Sequence, residues 1–297
     1  IIEWGNNDQK NRYLTASARG EKIMAFALTE PDAGSNPLEM TTTYRREMGR
    51  FVLNGVKYLI SNGGIADAMV TFAYSETEPR RISAFIIDTD APGIEREDLT
   101  AKLGLPTSNT AMFELTDFPV PEENLLGEEG NGFRIAMSTL LSGRLSVAAG
   151  CLGVIEDCLK ESVSYARERS QHARLIGKHQ LVQEHIAAIE LARQSTESLL
   201  ATAAAAKSAS DTDRENAELR ARADLLAAQL KLFASNAAWE AADRAVQVFG
   251  GRGYSELYRP GRHWKDVRVC RIYEGPDEVL KLKIAAAVLG REFAAFR

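Results

Sequence analysis

The sequence has 297 residues, of which 45% are hydrophobic and 26% are charged, and its formal net charge is −5 at neutral pH. This balance indicates a globular chain long enough for two domains and argues against disorder. The negative charge does not favour binding to nucleic acid. We find no apolar run of membrane-spanning length and no signal-peptide pattern, so no membrane span is expected.

The three cysteines, Cys151, Cys158 and Cys270, lack the spacing of metal ligands. We expect buried, reduced thiols in an intracellular protein, and no metal site is predicted.

Proline placement divides the chain. Seven of the nine prolines lie between Pro31 and Pro121, and none lies between Glu122 and Arg259. Because proline interrupts helices, we expect long helices only in the second region. Residues 1–14 have the pattern of a helix end, a turn and the start of another helix.

The region from about residue 23 to 124 carries strand signals. Apolar runs of strand length cover 68–74, 82–87 and 111–120. Within 51–58, Asn54-Gly55 separates two β-favouring runs and predicts a hairpin turn. We therefore predict a β-barrel or sandwich domain over 23–126.

From about residue 130, apolar residues recur every three or four positions, which is the helical period. Helices are predicted over about 130–163, 179–207, 214–249 and 276–291, with the polar patch 208–213 as a turn. Four long helices with short connections indicate an antiparallel four-helix bundle over 127–297.

Glu274 lies just before a helix that is predicted to begin at Pro276, with Asp277 and Glu278 at the positive end of its dipole. The helix end favours the charged carboxylate, whereas burial among apolar neighbours would raise its pKa. Such a group can act as a general base. The alternative is an ordinary solvated glutamate.

Six segments carry the remaining chemistry. In order they are LTEPDAGSN at 28–36, KYLISNGG at 57–64, LSGR at 141–144, RERSQHAR at 167–174, QVFGGRGY at 247–254 and YEGPDE at 273–278. Four of them also have a simpler interpretation: turns for the first two, a surface arginine for the third, and a glycine helix cap for the fifth.

Together these segments resemble the acyl-CoA dehydrogenase family, and the resemblance extends over nearly the whole chain. It implies an α+β multidomain fold, with a β-barrel followed by a four-helix bundle, and without the family's N-terminal helical domain, of which 1–22 would be a remnant. It also implies FAD as cofactor and dehydrogenation of an acyl-CoA thioester to the trans-2-enoyl-CoA, as in β-oxidation. Electrons would pass to an electron-transferring flavoprotein, and the enzyme would be a homodimer or homotetramer of the cytoplasm or mitochondrial matrix.

The resemblance also assigns roles to residues. Glu274 would be the catalytic base, because Gly143 stands where some members carry theirs. FAD contacts would come from Phe26, Leu28, Thr29, Ser35, Leu59, Ser61, Arg169, Gln171, His179, Gln180, Gln247, Gly250, Gly251, Pro276 and Glu278. Substrate contacts would come from Ser35, Leu141, Arg144 and Gly275. For His179, a polar residue at a helix N-terminus is an equal alternative.

Several positions depart from the family pattern, among them Asp32, Leu59, His172, Ala173 and Pro276. Together with the expected absence of the N-terminal domain, they leave two further hypotheses open. One is a flavin oxidase or monooxygenase of the same fold, and the other is a partner subunit that binds no flavin by itself.

Overall fold

The computed structural model describes residues 1–78 and 81–295. It divides into two compact units, Ile1–Thr139 and Leu140–Arg297. The finer division at 22/23 and 126/127 stays a prediction.

The first unit begins with a helical segment made of α1 (Asn7–Gln9), a π-helical turn (Lys10–Leu14) and α2 (Thr15–Ala18). The Asn6 side chain accepts a hydrogen bond from the Gln9 N–H, and the Gln9 side chain accepts one from the Asn6 N–H. The Gln9 amide also donates to the carbonyls of Glu123 and Leu125, both at 2.8 Å. These bonds tie the segment to the far end of its unit.

Eight strands follow in one sheet. They are β1 (Met24–Ala27), β2 (Thr43–Glu47), β3 (Arg50–Ser61), β4 (Ala68–Ser75), β5 (Ile82–Asp88), β6 (Ile94–Asp98), β7 (Thr110–Pro121) and β8 (Leu125–Leu126). Their order is β6-β7-β3-β2-β4-β5-β8, with β1 parallel to β4. The three apolar runs of the sequence are confirmed as β4, β5 and β7.

The core of this unit is aromatic. Tyr44, Phe51 and Phe85 are at most 2% exposed, and their rings meet edge to face at 5.0–5.7 Å. Along β7, buried residues alternate with more exposed ones, so one of its faces is turned to the core, whereas β5 is buried on both faces.

The predicted hairpin turn at Asn54-Gly55 is wrong. Both residues lie inside β3, at an irregularity of its pairing with β7, and the turn between β2 and β3 is made by Met48 and Gly49. Gly55 has φ +146°, and a Cβ there would lie 2.6 Å from the Cα of Thr42. The glycine allows close backbone approach at a bulge. No turn forms at Asn54-Gly55, because pairing along the whole strand outweighs local turn propensity.

The long helices of the chain are α3 (Gly132–Glu168), α4 (Gln180–Thr212), α5 (Ala217–Phe249) and α7 (Asp277–Leu289). The second unit adds a hairpin, β9 (Ser170–Gln171) with β10 (Arg174–Leu175), and the short helix α6 (Arg259–Asp266), which the sequence analysis did not predict. The four predicted helices are confirmed.

Two helix boundaries correct the sequence analysis. The polar patch 208–213 is mostly helical, because α4 continues to Thr212, whose hydroxyl donates to the Ser208 carbonyl at 3.0 Å. The turn comes after it, and the Asn216 side chain caps α5. Pro276 is the N-cap of α7 rather than its first helical residue.

The core of the helical unit is built from small side chains. Ala234, Ala238, Ala241 and Ala245 on α5 are at most 1% exposed and belong to one apolar cluster with residues of α3 and α4. A central helix lined with alanine allows its neighbours to approach closely. All three cysteines are free and buried, as expected.

By length and composition, α3 could cross a membrane, which corrects the statement that no apolar run is long enough. Such a helix is weak evidence for a membrane span, since the core helix of a bundle has the same features. In α3, Ala148, Cys151, Ile155 and Cys158 are at most 1% exposed and pack in the apolar cluster of the helical unit.

Candidate active site

Glu274 occupies a strained turn ahead of α7. Its φ is +55°, and that of Gly275 is +97°, so two consecutive residues are left-handed. The left-handed conformation costs a residue with a Cβ about 1–2 kcal/mol. Strain of this kind persists where surrounding contacts hold it, and it is concentrated at functional sites.

The Glu274 carboxylate lies against α3 at Gly143. A Cβ built on Gly143 would be 2.7 Å from the Glu274 Cδ and would also collide with its oxygens. Among the residues that the structure describes, nothing forms a hydrogen bond with the buried Glu274 Oε2. The absence of a side chain at residue 143 therefore makes room for a carboxylate with a vacant hydrogen-bonding position.

Burial raises the pKa of Glu274, and the positive charges of Arg144 and Lys231 oppose that shift only in part. A carboxylate whose pKa lies above its usual range is a stronger base than a solvated one. The alternative of an ordinary solvated glutamate does not fit this environment.

Arg144 is 7% exposed, which excludes a surface charge. Its Nε donates to the Glu274 carbonyl at 3.1 Å and its Nη1 to Asp224 Oδ1 at 3.0 Å. Asp224 also pairs with Lys283. The arginine therefore connects the Glu274 turn to α5 and, through Asp224, to α7.

Lys231 is a residue that the sequence analysis missed. It is fully buried on α5, and its Nζ donates to the Gly275 carbonyl at 2.7 Å. A signal for it exists in the sequence: Ala227, Lys231, Ala234 and Ala238 follow the helical period, so a lysine falls on the apolar face.

Asp277, at the first position of α7, is 2% exposed. Its Oδ2 accepts from Arg271 Nε at 2.8 Å and from Asn236 Nδ2 at 3.0 Å. Pro276 is partly buried and Glu278 is exposed. Their proposed cofactor contacts stay predictions, as do the substrate contacts of Gly275 and of the buried Leu141 on α3.

In the sheet unit, two predicted flavin segments lie side by side. Thr29 follows β1, and its carbonyl accepts from the Tyr58 N–H of β3 at 2.9 Å. Buried Lys57 donates to Glu30 Oε1 at 2.8 Å and thereby fixes the same two segments. Further along β3, Leu59 has φ +58° and is 54% exposed.

The other candidates of this unit differ in exposure. Leu28 is buried, Ser35 and Ser61 are exposed, and Phe26 packs edge to face on Phe72 at 5.3 Å. Thr29 is partly buried, whereas the exposed hydroxyls of Ser35 and Ser61 are accessible to a polar ligand.

In the helical unit, the β9–β10 hairpin presents a second group of candidates. Its turn residues, His172 and Ala173, have φ of +51° and +59°. Exposed Arg169 and Gln171 lie just before this turn. An accessible guanidinium suits a phosphate group.

His179 and Gln180 begin α4, and Gln180 is exposed. His179 Nδ1 contacts the Arg174 guanidinium at 2.9 Å, and its side chain does not cap the helix. Its Nε2 is buried and has no hydrogen-bond partner among residues 1–78 and 81–295. A buried, unsatisfied ring nitrogen is a position that a ligand can complete.

The last turn of α5 contains Gln247, and Gly250 and Gly251 directly follow the helix. Gly250 has φ +61° and caps the helix, and a Cβ on either glycine would meet nothing within 4 Å. Gln247 is exposed. The glycine cap is thus confirmed, and this helix end is open to a ligand.

Taken by itself, each unit offers groups that suit a nucleotide cofactor. The sheet unit has exposed serine hydroxyls, and the helical unit has an exposed guanidinium and an unsatisfied imidazole nitrogen. Among the described residues, no group of three histidines, cysteines or carboxylates could hold a metal ion.

Comparison with known proteins agrees with this chemistry. The family model of the acyl-CoA dehydrogenase middle domain matches residues 25–118, and that of the acyl-CoA dehydrogenase C-terminal domain matches residues 130–289. An acyl-CoA dehydrogenase of Bacillus subtilis is 39% identical over 292 residues, which are 98% of this chain and 74% of the relative.

Solved structures show the same fold. Butyryl-CoA dehydrogenase from Megasphaera elsdenii matches with a TM-score of 0.90 at 36% identity, over 98% of this chain and 74% of that chain. A glutaryl-CoA dehydrogenase from Mycobacterium smegmatis, in complex with FADH2, matches with a TM-score of 0.89 at 30% identity, over 100% and 73%. The family models, the sequence identities and the shared α+β fold together show that this chain belongs to the acyl-CoA dehydrogenase family.

Proposed function

We propose that the protein removes the α-proton of an acyl-CoA thioester with Glu274 and forms the trans-2-enoyl-CoA. The observation that carries this proposal is the Glu274 carboxylate. It lies against Gly143 on a left-handed turn, and its Oε2 has no hydrogen-bond partner among the described residues. Family membership supplies the reaction class, and this geometry supports Glu274 as the base.

FAD, when bound, supplies the acceptor for the hydride that leaves the β-carbon. For this cofactor we propose contacts from Thr29, Ser35 and Ser61, from Arg169 and from His179. The remaining assignments are Phe26, Leu28, Leu59, Gln171, Gln180, Gln247, Gly250, Gly251, Pro276 and Glu278.

The protein's own contribution is to hold a proton acceptor in place. The raised pKa of Glu274 makes its carboxylate a stronger base than a solvated one. The Glu274 backbone N–H would polarise the thioester carbonyl, which makes the α-proton more acidic. Ser35, Leu141, Arg144 and Gly275 are the proposed substrate contacts.

We further propose an electron-transferring flavoprotein as the acceptor and a homodimer or homotetramer as the assembly. Cytoplasm, or the mitochondrial matrix of a eukaryote, would keep the three free thiols reduced. Butyryl-CoA, named in a related structure, is a suitable first substrate.

The test is an anaerobic visible spectrum of the purified protein before and after addition of butyryl-CoA, repeated with longer thioesters. We expect flavin bands that bleach in the native protein and persist in Glu274→Gln. A flavin-containing protein that no acyl-CoA bleaches would contradict the proposal. Oxygen consumption without an enoyl product would favour the oxidase, and a protein without flavin would favour the partner subunit.

A further inference from the structure

The turn that presents Glu274 is held by two buried cations, one for each left-handed residue. Arg144 Nε, from α3, donates to the Glu274 carbonyl at 3.1 Å. Lys231 Nζ, from α5, donates to the Gly275 carbonyl at 2.7 Å. The two donors come from different helices, so the orientations of two successive peptide groups are set independently.

Lys231 differs from most buried charged side chains in the group to which it is hydrogen-bonded. It is 0% exposed, yet its hydrogen bond goes to a neutral carbonyl. The negative charge of Asp277 favours the charged form of Lys231, but its Oδ2 accepts from Arg271 and Asn236, and its buried Oδ1 has no hydrogen-bond partner, Lys231 included, among the described residues. Burying an ammonium group is costly unless it is paired and hydrogen-bonded.

An apolar side chain would complete the alanine face of α5 without this cost. Ala227, Ala234 and Ala238 surround Lys231 in the helical period, and each is 0% exposed. Packing alone therefore does not explain a lysine at this position, and its bond to the Gly275 carbonyl does.

We infer that Lys231 is a positioning residue for the catalytic base: its ammonium group fixes the Gly275 peptide and thereby keeps the Glu274 carboxylate on Gly143. This inference rests on the proposed function. Without the Lys231 donor, the Gly275 carbonyl in this half-buried turn loses its hydrogen-bond partner. The left-handed Glu274 then has less to hold it, and the carboxylate moves away from α3.

The first experiment compares crystal structures of the native protein, Lys231→Met and Lys231→Arg. We expect a rotated Gly275 carbonyl and a displaced Glu274 carboxylate in Lys231→Met, and a near-native turn in Lys231→Arg. A Lys231→Met structure with an unchanged turn overturns the inference. This readout does not depend on activity, so it decides the question even if no acyl-CoA is oxidised.

Kinetics supply the second readout. Because a misplacement of about 1 Å can cost about 10²-fold in rate, we expect kcat of Lys231→Met to fall by about that factor with little change in KM. Lys231→Arg should recover most of the loss. A native kcat in Lys231→Met, or equal losses in both variants, contradicts positioning.

The matched control is Lys281→Met, the same substitution at an exposed lysine on α7; it should leave kcat and the turn unchanged. If Lys231→Met does not fold, Lys231→Gln replaces it, because an amide still donates a hydrogen bond without a charge. A native turn and partial kcat in Lys231→Gln support the inference, and a displaced turn with native kcat overturns it. Failure of the proposed function would appear separately, as a native enzyme that makes no enoyl-CoA.

Discussion

Glu30 in the sheet unit and Glu274 in the helical unit are two carboxylates with opposite surroundings. Glu30 is 3% exposed, and both its oxygens are occupied by donors from Thr41, Thr42 and Lys57. Glu274 has a buried oxygen without a partner among the residues described.

Their pKa values move in opposite directions for this reason. Burial alone would raise the pKa of Glu30, but the charge of Lys57 and the surrounding hydrogen bonds outweigh it, and the pKa is lowered. For Glu274, burial outweighs Arg144 and Lys231, and the pKa is raised. A carboxylate whose oxygens all accept hydrogen bonds stabilises the fold, whereas one with an oxygen that lacks a partner is available for chemistry.

The largest effect is expected from Glu274→Gln. Removal of a general base costs about 10²–10⁴-fold in rate, and stability should not fall, because an unsatisfied charge is removed. Flavin bleaching by acyl-CoA measures the rate, and urea unfolding measures the stability. A variant that keeps the native rate would show that the base is elsewhere.

Glu30→Gln should act mainly on the stability of the fold. It leaves the Lys57 ammonium buried without its carboxylate, which costs about 3–5 kcal/mol of unfolding free energy. The pKa of Lys57 is already lowered to about 8, because burial outweighs the charge of Glu30. Urea unfolding near neutral pH is the measurement. The double variant with Lys57→Met should recover part of the loss, and no recovery would speak against the pairing.

Gly143→Ala tests the space that Glu274 needs. The added Cβ collides with the carboxylate and displaces it. Because this displacement is smaller than one that costs about 10²-fold, we expect kcat to fall by about tenfold. Gly150→Ala is the matched control on α3, since a Cβ there meets nothing within 4 Å. It should stabilise the helix by about 0.5–1 kcal/mol. Equal activity in both variants would contradict the contact at Gly143.

The smallest effect concerns pH and stability. The lowered pKa of Glu30 contributes stability above its ordinary value of 4.5, which is lost as pH falls through the folded-state value. The raised pKa of Glu274 acts in the other direction: its contribution is present below 4.5 and is lost as pH rises through the folded-state value.

Urea unfolding of the native protein, Glu30→Gln and Glu274→Gln over a pH series separates the two contributions. The difference between native protein and Glu30→Gln should shrink toward acid. The advantage of Glu274→Gln over the native protein should grow from acid toward neutral pH. If the difference in unfolding free energy from the native protein were independent of pH for both variants, the expected contrast between Glu30 and Glu274 would be contradicted.

Much of the secondary structure could be predicted. Runs such as 68–74 and 82–87 became strands, and the helices were found because apolar residues repeat with the helical period over many turns. The errors were local. Asn54-Gly55 has the pattern of a turn but lies within β3, and the polar patch at 208–213 stayed mostly helical.

By itself, the sequence determined the order of sheet and helices, which follows from the spacing of apolar residues and prolines. Its motifs also carried the resemblance to the family, and that resemblance made Glu274 the candidate base. The tertiary structure decided what surrounds that base. Lys231 and Gly143 are far from Glu274 in sequence, and they contribute by burial, a hydrogen bond and the absence of a side chain. The helical period places Lys231 on an apolar face, and the family resemblance draws attention to Gly143, but the contacts of both with the Glu274 turn depend on which helices meet.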